Sequence, residues 1–100
     1  MTTVSAIVVG GGVNALGVVR SLGQGGVPVT VIDTEPRAPA MRSRHALPQL
    51  VRTIEGQPLM DELRQFAQGL SSDAVLFLTE EKSVETVSAL REQLPPRLRI

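Results

Sequence analysis

The chain has no cysteine, no tryptophan and no tyrosine, and its one histidine is His45. Without cysteine there are no disulfides, no thiolate metal sites and no cysteine nucleophile. A single imidazole argues against an all-protein zinc site. The aromatics are limited to Phe66 and Phe77, so there is no row of rings on which nucleic-acid bases could stack. An excess of one charge is missing too, since ten basic and ten acidic residues cancel. No overall field therefore draws the chain to nucleic acid or to an anionic membrane. No apolar stretch approaches the roughly 18 residues needed to cross a bilayer. The Met-Thr-Thr-Val-Ser start lacks the basic opening and apolar run of a signal peptide. A cytoplasmic protein with no nucleic-acid and no membrane partner is the default expectation.

What is present suits one domain. One hundred residues bury about 65% of their unfolded surface, which is enough for one core and not two. With so few rings, that core must be built from Val, Leu, Ile and Ala, the residues of a parallel sheet covered by helices. Val4 to Val9 is a β-branched run that stops at three glycines, as a strand buried on both faces would. Ala15, Leu16, Val18, Val19 and Leu22 then fall on one face of a helix over 14–23, with Asn14 as its N-cap and Gly25-Gly26 as its stop. Val27 to Ile32 reads as the second strand, with Pro28 acceptable at its start. This is a βαβ unit.

The middle of the chain, 34–48, carries prolines and a basic cluster and reads as loop, with a short strand around Leu50, Val51 and Ile54. Pro58 fits a first helical turn, Asp61 and Glu62 complement that helix N-terminus, and Leu59, Leu63, Phe66 and Leu70 form its inward stripe. Met60 is read as core. Ala74 to Leu78 is a further buried strand. Val84, Val87, Leu90 and Leu94 mark a last amphipathic helix, which Pro95-Pro96 ends. Arg97-Leu98-Arg99-Ile100 begins a new alternation, as at a domain boundary. The order β-α-β-(β)-α-β-α predicts an α/β, Rossmann-like, doubly wound and mostly parallel sheet of about four strands with helices on both faces. It occupies residues 1–100 as a single domain.

Gly10-Gly11-Gly12-Val13-Asn14-Ala15 matches G-x-G-x-x-A directly after a strand and at the opening of a helix. The first glycine turns the chain, the second lets backbone N–H groups approach an anion, and the small third residue lets helix pack on strand. The helix N-terminus adds partial positive charge. Gly12 is expected to need open φ space, and Gly17 to serve the same close packing. Asp33 ends the second strand, where dinucleotide enzymes place an acid that accepts hydrogen bonds from a ribose. The plain alternative is that a tight strand-to-helix turn needs glycine whatever it binds.

The run G-G-G-V-N-A-L-G-V-V-R-S-L-G-Q-G-G-V-P-V-T-V-I-D over 10–33, followed by P-A-M-R-S-R-H-A over 39–46, resembles the N-terminal domain of ATP-grasp carboxylate–amine ligases. Arg20-Ser21-Leu22-Gly23, Gly26-Val27-Pro28-Val29 and Arg42-Ser43-Arg44 carry most of the likeness. In such relatives a strand like Val75–Leu78 leads to a Thr-x-Asp/Glu-Glu turn, which Thr79-Glu80-Glu81 resembles. Relatives often have Asp where Glu80 stands and an aromatic where His45 stands. The resemblance implies a ligase that activates a carboxylate as an acyl phosphate, which an amine then displaces. It implies ATP and Mg2+ held mainly by later domains, with none in these residues, and no catalytic residue here.

The partners it implies are a small-molecule carboxylate and the ATP-grasp domains of a parent chain, with a homodimer as an option. On this reading Gly10, Gly11, Gly12, Asn14, Asp33, Arg42 and Arg44 contact substrate or anion. Arg42 and Arg44 are expected at the carboxyl edge of the sheet, where ligands collect. Thr79, Glu80 and Glu81 are secondary candidates; Glu80 and Glu81 equally suit a helix N-terminus. Two other readings stay open: the first βαβ unit of an FAD- or NAD(P)-dependent oxidoreductase, and a non-catalytic ligand-binding domain of the same fold.

Overall fold

A computed structural model describes residues 4–100; the first three residues of the start discussed above lie outside the described part. Five strands form one sheet: β1 (Ser5–Val9), β2 (Val29–Asp33), β3 (Ala46–Leu50), β4 (Ala74–Leu78) and β5 (Leu98–Arg99). All four pairings are parallel, in the order β3-β2-β1-β4-β5. Three helices connect them: α1 (Val13–Gln24), α2 (Gly56–Gln68) and α3 (Glu81–Ala89), with short 3-10 turns at Pro39–Arg42 and Arg91–Gln93.

The chain steps outward from β1 to β2 to β3, then returns across the sheet to β4 and β5. Right-handed crossovers then put the connections of the two halves on opposite faces. The two cores follow that division. Ile7 and Val9 of β1 face α2 and α3, in a cluster with Ile54, Leu59, Met60, Leu63, Leu76 and Val87. Ala6 and Val8, one residue out of phase, face α1 and the first 3-10 turn, with Ala15, Val19, Ala40 and Met41. The central strand is therefore apolar at successive positions, as a strand covered on both sides must be.

The expected fold class holds, with differences of detail. The fifth strand is the alternation at 97–100: Leu98 is buried and pairs with Ala74. The strand expected around Leu50, Val51 and Ile54 lies earlier, at Ala46–Leu50: it starts inside the stretch read as loop and ends at Leu50. It is an edge strand, paired on one side only, which is why Pro48 is tolerated and why Leu47 and Leu50 stay exposed. Ile54 is buried all the same, in the connection to α2.

Asp61 and Glu62 lie beyond the first turn of α2, so they do not serve its N-terminus. Instead Asp61 accepts from Gln57 and Arg64, and Glu62 accepts from Gln49 of β3. The last helix is shorter than its apolar spacing suggested. It ends at Ala89, Leu90 and Leu94 pack from beyond it, and Val84 is exposed while Ser83 is buried.

The stop of α1 is local chemistry. Gly26 takes φ +80°, its N–H donates to Gly23, and the Val27 N–H donates to Leu22. Leu22 and Val27 then both pack on the same core, completing a Schellman cap. Among the described residues, no helix is long and apolar enough to cross a membrane.

Candidate functional site

The strand order reverses between β1 and β4, which run parallel. In a doubly wound sheet the crevice outside the carboxyl ends of such a pair is where ligands bind. Here its floor is Gly10 to Gly12 on one side and Thr79 to Glu81 on the other. The Thr79 N–H and hydroxyl both donate to the Val9 carbonyl, at 3.1 and 2.7 Å, which fixes the two strand ends together.

Each glycine does a different job. Gly10 has φ +101°, a conformation L side chains rarely adopt, and its N–H donates to Ile32. A Cβ there would overlap the Thr79 hydroxyl and come within 3.0 Å of Glu80 Oε2. A Cβ on Gly11 would lie 2.8 Å from Asp33 Oδ2 and 2.9 Å from Ala38 Cβ. Gly12 is the N-cap of α1, not Asn14, which is the exposed second helical residue. Gly12 also corrects an expectation: its φ is −72° and nothing lies within 4 Å of a Cβ placed on it. The open φ space is needed at Gly10. Gly17 packs against nothing either; the close approach is at Gly23, where a Cβ would sit 2.5 Å from that of His45.

No side chain caps α1, so the first backbone N–H groups of the helix lack both an intrahelical and a side-chain acceptor. Carboxylates stand on both sides of these donors, Asp33 against Gly11 and Glu80 against Gly10. Asp33 is only 6% exposed, and its carboxylate has no hydrogen bond or ion pair among the described residues. No sealed side-chain oxygen among those residues lacks a partner, so the Asp33 oxygens keep some contact with solvent. The crevice thus combines backbone donors with carboxylate acceptors. Glu80 is the N-cap residue of α3 and Glu81 lies in its first turn, as suits negative charge at a helix start.

Arg42 and Arg44 are not part of this crevice. Ala40 donates to the Gly11 carbonyl, after which the chain turns away and descends beside α1 to His45. Ala46 pairs with Val29, the first residue of β2, so His45 lies at the amino edge of the sheet. The two arginines line a separate groove of about 740 Å³ with Leu16, Arg20, Gln24, Arg37 and His45, and no glycine-loop residue reaches it. The residues expected to contact substrate or anion therefore fall in two separate places.

No protein-family model, no curated protein and no solved structure matches the chain. Its chemistry must be read from its own geometry. Sequence reasoning missed Arg20 and Arg37 as members of a site. Leu16, Arg20 and Gln24 are spaced four apart, a legible helical stripe, but nothing in the sequence says which loop faces that stripe.

Proposed function

We propose that this chain is the substrate-side N-terminal domain of an ATP-dependent carboxylate–amine ligase. The observation that supports the reading is the crevice at the reversal point of the sheet, with free helix donors between Asp33 and Glu80. A carboxylate fits the donors of α1, through backbone hydrogen bonds and the positive end of the helix. Two flanking carboxylates would repel a bare anion, so the substrate must also present hydrogen-bond donors to Asp33 and Glu80. A hydroxy- or amino-substituted carboxylate meets both demands. On this reading the chain binds and orients the substrate. On the same reading ATP and Mg2+ are held mainly by later domains of a parent chain.

The test uses the protein that carries this domain, supplied with ATP, Mg2+, hydroxylamine and a panel of substituted carboxylates. An acyl phosphate is trapped as a hydroxamate, so ATP-dependent hydroxamate formation is the expected result. Asp33→Asn should raise KM for the carboxylate ten- to hundredfold, from losing a charge-assisted contact on the order of 1.5–3 kcal/mol, and should leave KM for ATP in place. No hydroxamate with any carboxylate would overturn the ligase.

The position of Asp33 beside Gly11 also suits a ribose, which favours the oxidoreductase as the second reading. It predicts that this chain binds NAD or FAD with a dissociation constant below about 10 μM, roughly −7 kcal/mol. The ligase reading predicts no such binding in a calorimetric titration.

A further inference from the structure

The chain is neutral overall, yet Arg20, Arg37, Arg42 and Arg44 converge on one groove with no carboxylate lining it. Both ion pairs among the described residues involve other arginines, Arg64 with Asp61 and Arg99 with Asp73. The four guanidinium groups of the groove therefore have no anionic partner there. Exposed arginines are often no more than a solvated face, and what sets these apart is the wall that carries them.

The 3-10 turn at Pro39–Arg42 is anchored by buried Ala40 and Met41 and by the Ala40 hydrogen bond to Gly11. The Ser43 hydroxyl accepts from the His45 N–H at 3.1 Å. His45 then seats directly on α1, where only a residue without a Cβ leaves room, and Gly23 provides it. The loop is thus tied to the glycine turn at one end and seated on α1 at the other. Arg20 on α1 and Arg37, Arg42 and Arg44 on the loop line the groove between them.

We infer that this groove is a binding site for a small molecule carrying two phosphoryl groups. A phosphoryl group brings about −1.5 to −2 charges at neutral pH, so two of them match four guanidinium groups, whereas two carboxylates would leave half the charge unmatched. Arginine presents a planar fork that grips phosphate oxygens in pairs. The groove holds no Phe, Tyr or Trp, so it reads the anionic groups and not a base. The site goes beyond the ligase proposed above and stands whether or not that activity is found.

The chain itself is titrated with inorganic pyrophosphate, inorganic phosphate, citrate and a short single-stranded oligonucleotide, by calorimetry and by amide shifts in two-dimensional NMR. Pyrophosphate is expected to bind at least tenfold more tightly than phosphate or citrate and to shift the amides of Arg20, Ser43 and His45. It should weaken as ionic strength rises. Arg42→Ala and Arg44→Ala should each weaken it about tenfold, while Arg64→Ala, outside the groove, changes nothing. Circular dichroism establishes that each variant is folded, and Arg42→Lys and Arg44→Lys, which keep the charge but lose the fork, should recover only part of the affinity. The inference is overturned by no pyrophosphate binding, by binding indifferent to both alanine variants, or by shifts confined to residues 10–14. Tighter binding of citrate or of the oligonucleotide would overturn it equally.

Discussion

The two recesses of this small sheet are built on opposite electrostatic plans. The crevice between β1 and β4 offers backbone N–H groups flanked by the carboxylates of Asp33 and Glu80. The groove beside α1 offers four guanidinium groups and no acid. Both use helix α1, one at its first turn and the other along its flank. A net charge of zero therefore hides a segregation that decides what each recess can hold. The crevice suits a ligand that donates as well as accepts, and the groove suits a polyanion. Glycine divides between them in the same way, since Gly10 and Gly11 admit the walls of the crevice and Gly23 admits the wall of the groove.

The sharpest way to break the comparison is at Gly10. Gly10→Val should cost on the order of 2–6 kcal/mol in urea denaturation, from strained φ and from overlap with Thr79 and Glu80. Gly12→Val, two residues on, meets open space and should cost only about 0.5–1.5 kcal/mol as a poor helix cap. Equal losses would mean that the crevice does not depend on the backbone of Gly10.

Gly23→Ala tests the other recess. Overlap with His45 should cost about 1–3 kcal/mol, against a helix-propensity gain of about 0.5–1 kcal/mol. Pyrophosphate binding should fall with it, while the amide spectrum of residues 10–14 stays unchanged. A perturbation that spreads to the glycine loop would show the two recesses to be coupled.

Gly17→Ala should touch neither. Its site is open, so the variant should gain about 0.5–1 kcal/mol in thermal or urea unfolding. Smallest of all, Arg64→Ala removes an exposed pair with Asp61 whose side chains are 49% and 57% accessible. It should change stability by less than about 0.5 kcal/mol, measured in the same denaturation series. A larger effect would mean that this exposed ion pair contributes more to stability than such pairs usually do.

Much of the architecture is legible in the sequence. The apolar runs at Val4 to Val9 and Ala74 to Leu78 announce buried strands because both faces of a central parallel strand must be apolar. The glycines at 25 and 26 announce the end of α1 because a left-handed residue is needed there, and Gly26 supplies it. The edge strand β3 was not legible. Ala46-Leu47-Pro48-Gln49-Leu50 carries no period-two pattern, because one side of it is unpaired and much of it faces solvent. The groove was illegible for a different reason. Arg20 belongs to a helix, and Arg37, Arg42 and Arg44 to the crossover after β2; only the descent of that crossover along α1 brings them together.

Residue periodicity and turn chemistry, which act over a few neighbours, determined the strands, the helices, the glycine turn and the doubly wound order. Which glycine carries the strained φ, which one leaves room for His45, and which charges share a recess depend on contacts between segments distant in sequence. Those contacts are set by packing across the two faces of the sheet, and no local pattern encodes them.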